Sequence, residues 1–185
     1  LFFLGSDRKR FEDEFGKSVF YNAAFLGNIN AAYEIFNVYD ERVRARLEWI
    51  MAELAKDLDL SARETYGIDR QREKAPWPAD AAAADDLWRR RLKFEVVQEI
   101  LAKKTLEDAR AQVRKRYERM LKNLGEIEGN DLAEMFLSCI ARLYDPHSTY
   151  FSAATYEDFG IQMKLQLVGI GALLGVEDDV CVVKE

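Results

Sequence analysis

Apolar residues recur at steps of three and four along most of the chain, and the pattern turns strand-like only near its end. The longest stripe, Ala32, Ile35, Phe36, Tyr39, Val43, Leu47, Ile50, Met51 and Leu54, predicts a helix from Asn30 to Lys56 with its arginines and glutamates mostly elsewhere around the wheel. Before it, Ser6 or Asp7 is expected to cap a short helix through Phe15, and Lys17 to Leu26 keeps helical character until Gly27 and Asn28 interrupt it. Leu58 to Asp80 has no sustained period and contains Pro76 and Pro78 around Trp77, so it reads as a long ordered loop whose indole anchors it on the helices. Asp80 then caps a helix from Ala81 to Lys103, with Leu87, Trp88, Leu92, Val96, Ile100 and Leu101 as its buried stripe. Thr105 and Asp108 open a highly charged helix that Gly125 stops, and Asn130 is expected to cap a last one over Asp131 to Tyr144. That helix should bury Leu132, Met135, Phe136, Cys139, Ile140 and Leu143.

Downstream of Phe159 the pattern predicts strands. Leu165 to Leu174 and Val180 to Val183 are expected to form an apolar hairpin turned at Glu177, Asp178 and Asp179. The fold class is therefore mainly α, a multi-helix N-terminal domain over residues 1–158 followed by the beginning of a second domain over 159–185.

Composition narrows the function. The chain has 185 residues, 49% of them hydrophobic, which is enough for a real core. Its 27 Lys and Arg are interspersed among 33 Asp and Glu, for a net charge of -6, which disfavours a nucleic-acid partner. The basic triplet Arg89, Arg90 and Arg91 with Lys93 reads as a solvated helix face and not an anion site, because Asp85, Asp86 and Glu95 lie beside it. No apolar run is long enough to predict a transmembrane helix, and Leu1 to Leu4 is too short for a secretory signal, so the start reads as a cut.

Two cysteines, Cys139 and Cys181, exclude a disulfide framework and a four-cysteine zinc site, and read as packed thiols. His147, the only histidine, lies beside Ser148, but a serine nucleophile needs its base and oxyanion donors from separate elements. Asp145, Pro146, His147, Ser148 and Thr149 are better read as a turn in which Asp, Ser and Thr bond nearby backbone. No catalytic, cofactor or metal residue is assigned. Gly169 and Gly171 let the backbone approach a ligand closely, or relieve crowding in a strand turn.

Four separate words agree in order and spacing: Ala32 to Val43 (AYEIFNVYDERV), Lys74 to Pro78 (KAPWP) with Asp86 to Glu95 (DLWRRRLKFE), Tyr144 to Ser152 (YDPHSTYFS), and Gly169 to Leu174 (GIGALL). In these the chain resembles the tail-specific, or carboxy-terminal processing, proteases over essentially its whole length. The resemblance implies a periplasmic bacterial serine endopeptidase with an N-terminal helical domain, a PDZ domain and a serine and lysine dyad. It implies that Gly169, Ile170, Gly171 and Ala172 form the carboxylate-binding loop, whose amides would grip a substrate's C-terminus. The expected partners are C-terminal tails of protein substrates, the remainder of the protease and a protein adaptor. On this resemblance the chain begins inside the helical domain and ends before the dyad, and is expected to be inactive alone. The competing expectation is a non-catalytic helical scaffold or adaptor module whose strand tail binds a partner.

Overall fold

A computed structural model describes residues 2–61, 64–67, 76–164, 174–177 and 180–183. Helices dominate it: α1 (Gly5–Phe15), α2 (Val19–Leu26), α3 (Asn30–Ala55), α4 (Ala81–Leu101), α5 (Leu106–Gly125), α6 (Gly129–Arg142) and α7 (Ala153–Lys164). They are followed by β1 (Leu174–Glu177) and β2 (Val180–Val183), paired antiparallel with Leu174 opposite Val183 and Glu177 opposite Val180. The mainly α expectation holds; the strand that pairs with Val180–Val183 is Leu174–Glu177, so Glu177, expected in the turn, is in the strand, and of the expected arm only Leu174 lies within the described residues.

The core is the seam where α3, α4 and α5 meet. Val43, Leu47, Ile50 and Leu54 of α3, Trp88, Leu92 and Val96 of α4, and Ala109, Val113, Tyr117 and Leu124 of α5 close on one another. Each of the larger side chains is all but removed from water, which stabilises the fold by about 2 kcal/mol apiece. Polar groups inside this seam are satisfied. The Tyr117 hydroxyl donates to Glu95 at 2.9 Å, the Arg91 guanidinium meets the same carboxylate at 2.8 Å, and Arg91 lies 4.6 Å above the Trp88 ring. Burial pushes the Tyr117 phenol far up, an effect that Arg91 counters and the Glu95 carboxylate reinforces. At the C-terminal end of α3, the Arg110 Nε donates to the Leu54 carbonyl at 3.0 Å, filling an acceptor the helix leaves open.

Each cation of the basic run of α4 has a carboxylate partner, although the Arg90 Nε is buried without a hydrogen bond. Arg90 pairs with Asp86 at 2.6 Å, Lys93 with Glu64 at 2.9 Å, and Arg89 approaches the buried Glu53 at 3.6 Å. The anion-site alternative therefore has no support in the geometry. The Arg91 partner, Glu95, is buried and not the solvated neighbour that the charge pattern suggested.

The N-terminal segment lies across the bundle. Phe2 packs 5.0 Å from the Trp88 ring, and Phe3 stacks on Trp77 at 5.2 Å and 17°. The Gly5 amide donates to the Pro78 carbonyl at 2.8 Å, so the proline-flanked indole is pinned as expected.

Three helix boundaries differ from the sequence reading. Asp7 does not cap α1; it lies one turn in, where it accepts the Leu4 amide at 2.8 Å and the Arg42 guanidinium at 2.8 and 3.1 Å. Its carboxylate thus serves the helix terminus from the third position of α1 and holds a long-range cation as well. Asn130 is inside α6, because Glu128 is the cap and its amide donates to Asp131 at 3.0 Å in a reciprocal box. Helix α4 stops at Leu101, which is 78% exposed, and Lys103 takes a left-handed φ of 67°.

A fourth difference is larger. The strand pattern expected after Phe159 gives way to helix through Lys164, because Ser152 starts α7: its hydroxyl accepts the Thr155 amide at 3.3 Å.

Candidate functional site

The residues read from the sequence as the carboxylate loop, Gly169, Ile170, Gly171 and Ala172, lie outside the described residues. Described on either side of them are the end of α7 at Lys164 and the hairpin that begins at Leu174. Cys181 in β2 is a free, exposed thiol, and so is Cys139 in α6; the packed-thiol expectation fails for both.

The turn at Asp145 is built as its residue types dictate. One Asp145 carboxylate oxygen accepts the His147 amide at 3.1 Å and lies 3.1 Å from the ring Nδ1, and the other accepts the Ser148 hydroxyl at 3.3 Å. Those bonds, the His147 amide first, hold the Asp145 carboxyl below the usual range. The Ser148 hydroxyl is thus directed to a carboxylate and not to the imidazole, which is 89% exposed. This is not the geometry of an activated serine.

From this turn the chain is strapped back onto α6. The buried Ser138 hydroxyl donates to the Tyr150 carbonyl at 3.1 Å and accepts the Tyr150 amide at 3.2 Å. Four residues earlier on the same helix, Glu134 accepts the Ser152 amide at 3.1 Å and the Thr155 hydroxyl at 2.9 Å. Bonds from Ser152 and Thr155 lower the pKa of Glu134, keeping it ionised and the strap engaged. Among the described residues no group of His, Cys, Asp and Glu is placed to hold a metal ion. No described helix is long and apolar enough to cross a membrane.

The most ligand-like surface lies elsewhere, in an open apolar groove of about 380 Å³ between the first half of α3 and α6. Ile35, Phe36 and Tyr39 form one wall, Leu132, Met135 and Phe136 the other. Phe3 and Ile127 also border it, and Cys139 lines it as well. The sequence reading missed this groove because it assigned the apolar stripe of α6 to the core. In the structure only Ser138 of that helix is buried, while Met135 is 48% and Leu143 is 73% exposed. The strong amphipathic pattern of this helix was visible in the sequence, but its lack of a covering layer was not.

Comparison with known proteins follows the helical part closely. The family described as "Tail specific protease N-terminal domain" matches residues 1–154, from the N-terminal segment through the strap to the start of α7. A curated tail-specific protease of Haemophilus influenzae is 33% identical over 153 residues, covering 83% of this chain and 22% of the relative. The chain thus spans about a fifth of the length of the curated relative it matches. With the match running over all but the last part of the sequence, the chain belongs to the tail-specific protease N-terminal domain family.

Proposed function

We propose that this chain is the N-terminal part of a periplasmic serine endopeptidase that cleaves unstructured proteins from their C-terminal tails. In this reading the helical domain, residues 1–158, is the scaffold, and a PDZ domain begins over 159–185, a boundary that falls within α7. Gly169, Ile170, Gly171 and Ala172 present backbone amides to the free carboxylate of the substrate, and the strand after them pairs with its tail. Hydrogen bonds to an ionised acceptor are roughly twice as strong as neutral ones, so such a cradle separates a chain end from an internal peptide bond. The family's serine and lysine match no position in residues 1–185, so these residues alone are expected to cleave nothing. The remainder of the protease and a protein adaptor are the expected partners, with no cofactor.

The observation that carries this reading is the family match over residues 1–154, followed by a glycine-bracketed apolar run that leads directly into an antiparallel hairpin. Its test is a titration of the longer protease with one apolar-tailed peptide in two forms, free acid and C-terminal amide. The free acid should bind at least tenfold more tightly, a difference of about 1.4 kcal/mol. Equal affinities would remove the carboxylate cradle from the reading.

A further inference from the structure

The α3–α6 groove combines an apolar floor with a one-signed electrostatic surrounding. Its named walls are aliphatic, aromatic and thioether side chains from two packed helices. The stretches that supply them, Ser18 to Glu41 and Asn123 to Ala141, contain Glu34, Asp40 and Glu41 in one and Glu126, Glu128, Asp131 and Glu134 in the other. Neither contains a lysine or arginine. Glu34, Glu126, Glu128 and Asp131 gather where the two helices begin side by side, a point marked by the Tyr33 hydroxyl reaching the Gly129 carbonyl at 3.4 Å, whereas Asp40 is paired with Arg44 and Glu134 is held by the strap. Glu128 and Asp131 also cap α6, and its dipole offsets part of their charge, but only about half a unit. Of the neighbouring cations, Arg42 is paired with Asp7 and Arg44 with Asp40, Lys122 in the last turn of α5 is itself engaged, and Arg142 lies at the opposite end of α6. Helix α1 carries Arg8, Lys9 and Arg10 against Asp7, Glu12, Asp13 and Glu14, and so adds no positive field.

We propose that this groove docks an amphipathic helix of another protein, apolar on the face it inserts and bearing lysine or arginine at the end that meets Glu128 and Asp131. Helix is favoured over extended peptide because the walls are helices with no open strand edge. An extended guest would leave its backbone groups unpaired, whereas a helix satisfies its own and offers anchors at three- and four-residue steps. Met135 supplies a flexible, polarizable contact that adapts to different anchors. The negative end selects for basic guests and accelerates their approach. The inference does not rest on the carboxylate cradle, which involves other residues, so either can fail alone.

The test uses this chain and two synthetic amphipathic peptides with identical leucine faces, one with flanking lysines and its twin with glutamates. Fluorescence anisotropy should show the lysine peptide binding at least tenfold more tightly at low salt, with the advantage shrinking as salt is raised. The bound lysine peptide should slow alkylation of Cys139 and leave Cys181 unchanged. Met135→Glu should weaken binding at least tenfold; if circular dichroism shows that variant unfolded, protection of Cys139 decides alone. Equal binding of the twins, or no protection of Cys139, overturns the proposal. So does light scattering that finds a dimer which Met135→Glu splits, since the occupant is then a second copy of the chain.

Discussion

The α3–α4–α5 seam and the layer made by α2, α6 and α7 contain similar proportions of apolar residues and use them in opposite ways. In the seam Trp88, Leu47 and Leu92 are no more than 1% exposed, and even its charged members are bonded across helices. In the layer Phe25 is 68% exposed, Leu143 and Tyr144 73% each, and α7 buries no residue at all. Its internal ties are polar: Ser138 to Tyr150, and Glu134 to Ser152 and Thr155. The contrast separates what folding requires from what is left for contact. A seam closed on three sides supplies the stability, and a layer held by directional bonds keeps its apolar side chains outward without collapsing onto the core.

Four substitutions break or sharpen this contrast. Trp88→Ala has the largest expected effect, a loss of about 4 kcal/mol, because it empties a site shared by Phe2, Tyr117 and Arg91; thermal or urea unfolding measures it. Asp7→Asn comes next and tests the link between the N-terminal segment and α3. Burial alone would raise the Asp7 pKa, but the Arg42 guanidinium and the Leu4 amide together bring it below the ordinary value. The contribution of this pair is therefore complete above the ordinary aspartate range near pH 4 and is lost as the pH falls toward the depressed value. Arg42 is 41% exposed, so solvent screens the pair, and the variant should lose about 1 to 2 kcal/mol at neutral pH, with a flatter acid limb than the parent.

Glu134→Ala should leave the unfolding midpoint of the seam in place while amide exchange at Ser152 and Thr155 accelerates; a matching fall in global stability would show the layer to be part of the core. Met135→Ala has the smallest expected effect, within about 0.5 kcal/mol of the parent, since its side chain is half in water. A cost several times larger would mean that the groove wall is packed in solution.

Most of the helical fold could be read from particular residues. Asp80 accepts the Ala83 amide and Thr105 the Asp108 amide, two of the four caps expected, and α3 ends one residue from its expected limit. Local capping and periodicity act within a few residues, so they are written in the sequence. The failures share a cause: competition from distant groups or their absence. Asp7 sits inside α1 instead of at its cap position, sharing its carboxylate between the Leu4 amide and Arg42, thirty-five residues away. The stripe of α6 was read as buried because a sequence shows which face is apolar, not whether anything covers it. Helix α7 escaped notice because Gly160 and scattered apolar positions blur its period, while its start depends on Glu134 and Ser138 of another helix binding the strap. For the expected carboxylate loop, resemblance supplied the assignment, since two glycines in an apolar run fit a strand turn equally well.

The strap itself has one more implication. Ser138 meets the Tyr150 amide and carbonyl through a single oxygen, and Glu134 one turn earlier holds Ser152 and Thr155, so the heading on which α7 leaves the helical body is set by two side chains of α6 rather than by a broad packed surface. A tilt of α6, for example when something wedges against its outer side, would swing α7 and whatever chain extends from it. Threonine at 138 would preserve this coupling, and alanine at both 134 and 138 would uncouple the two helices while leaving each intact.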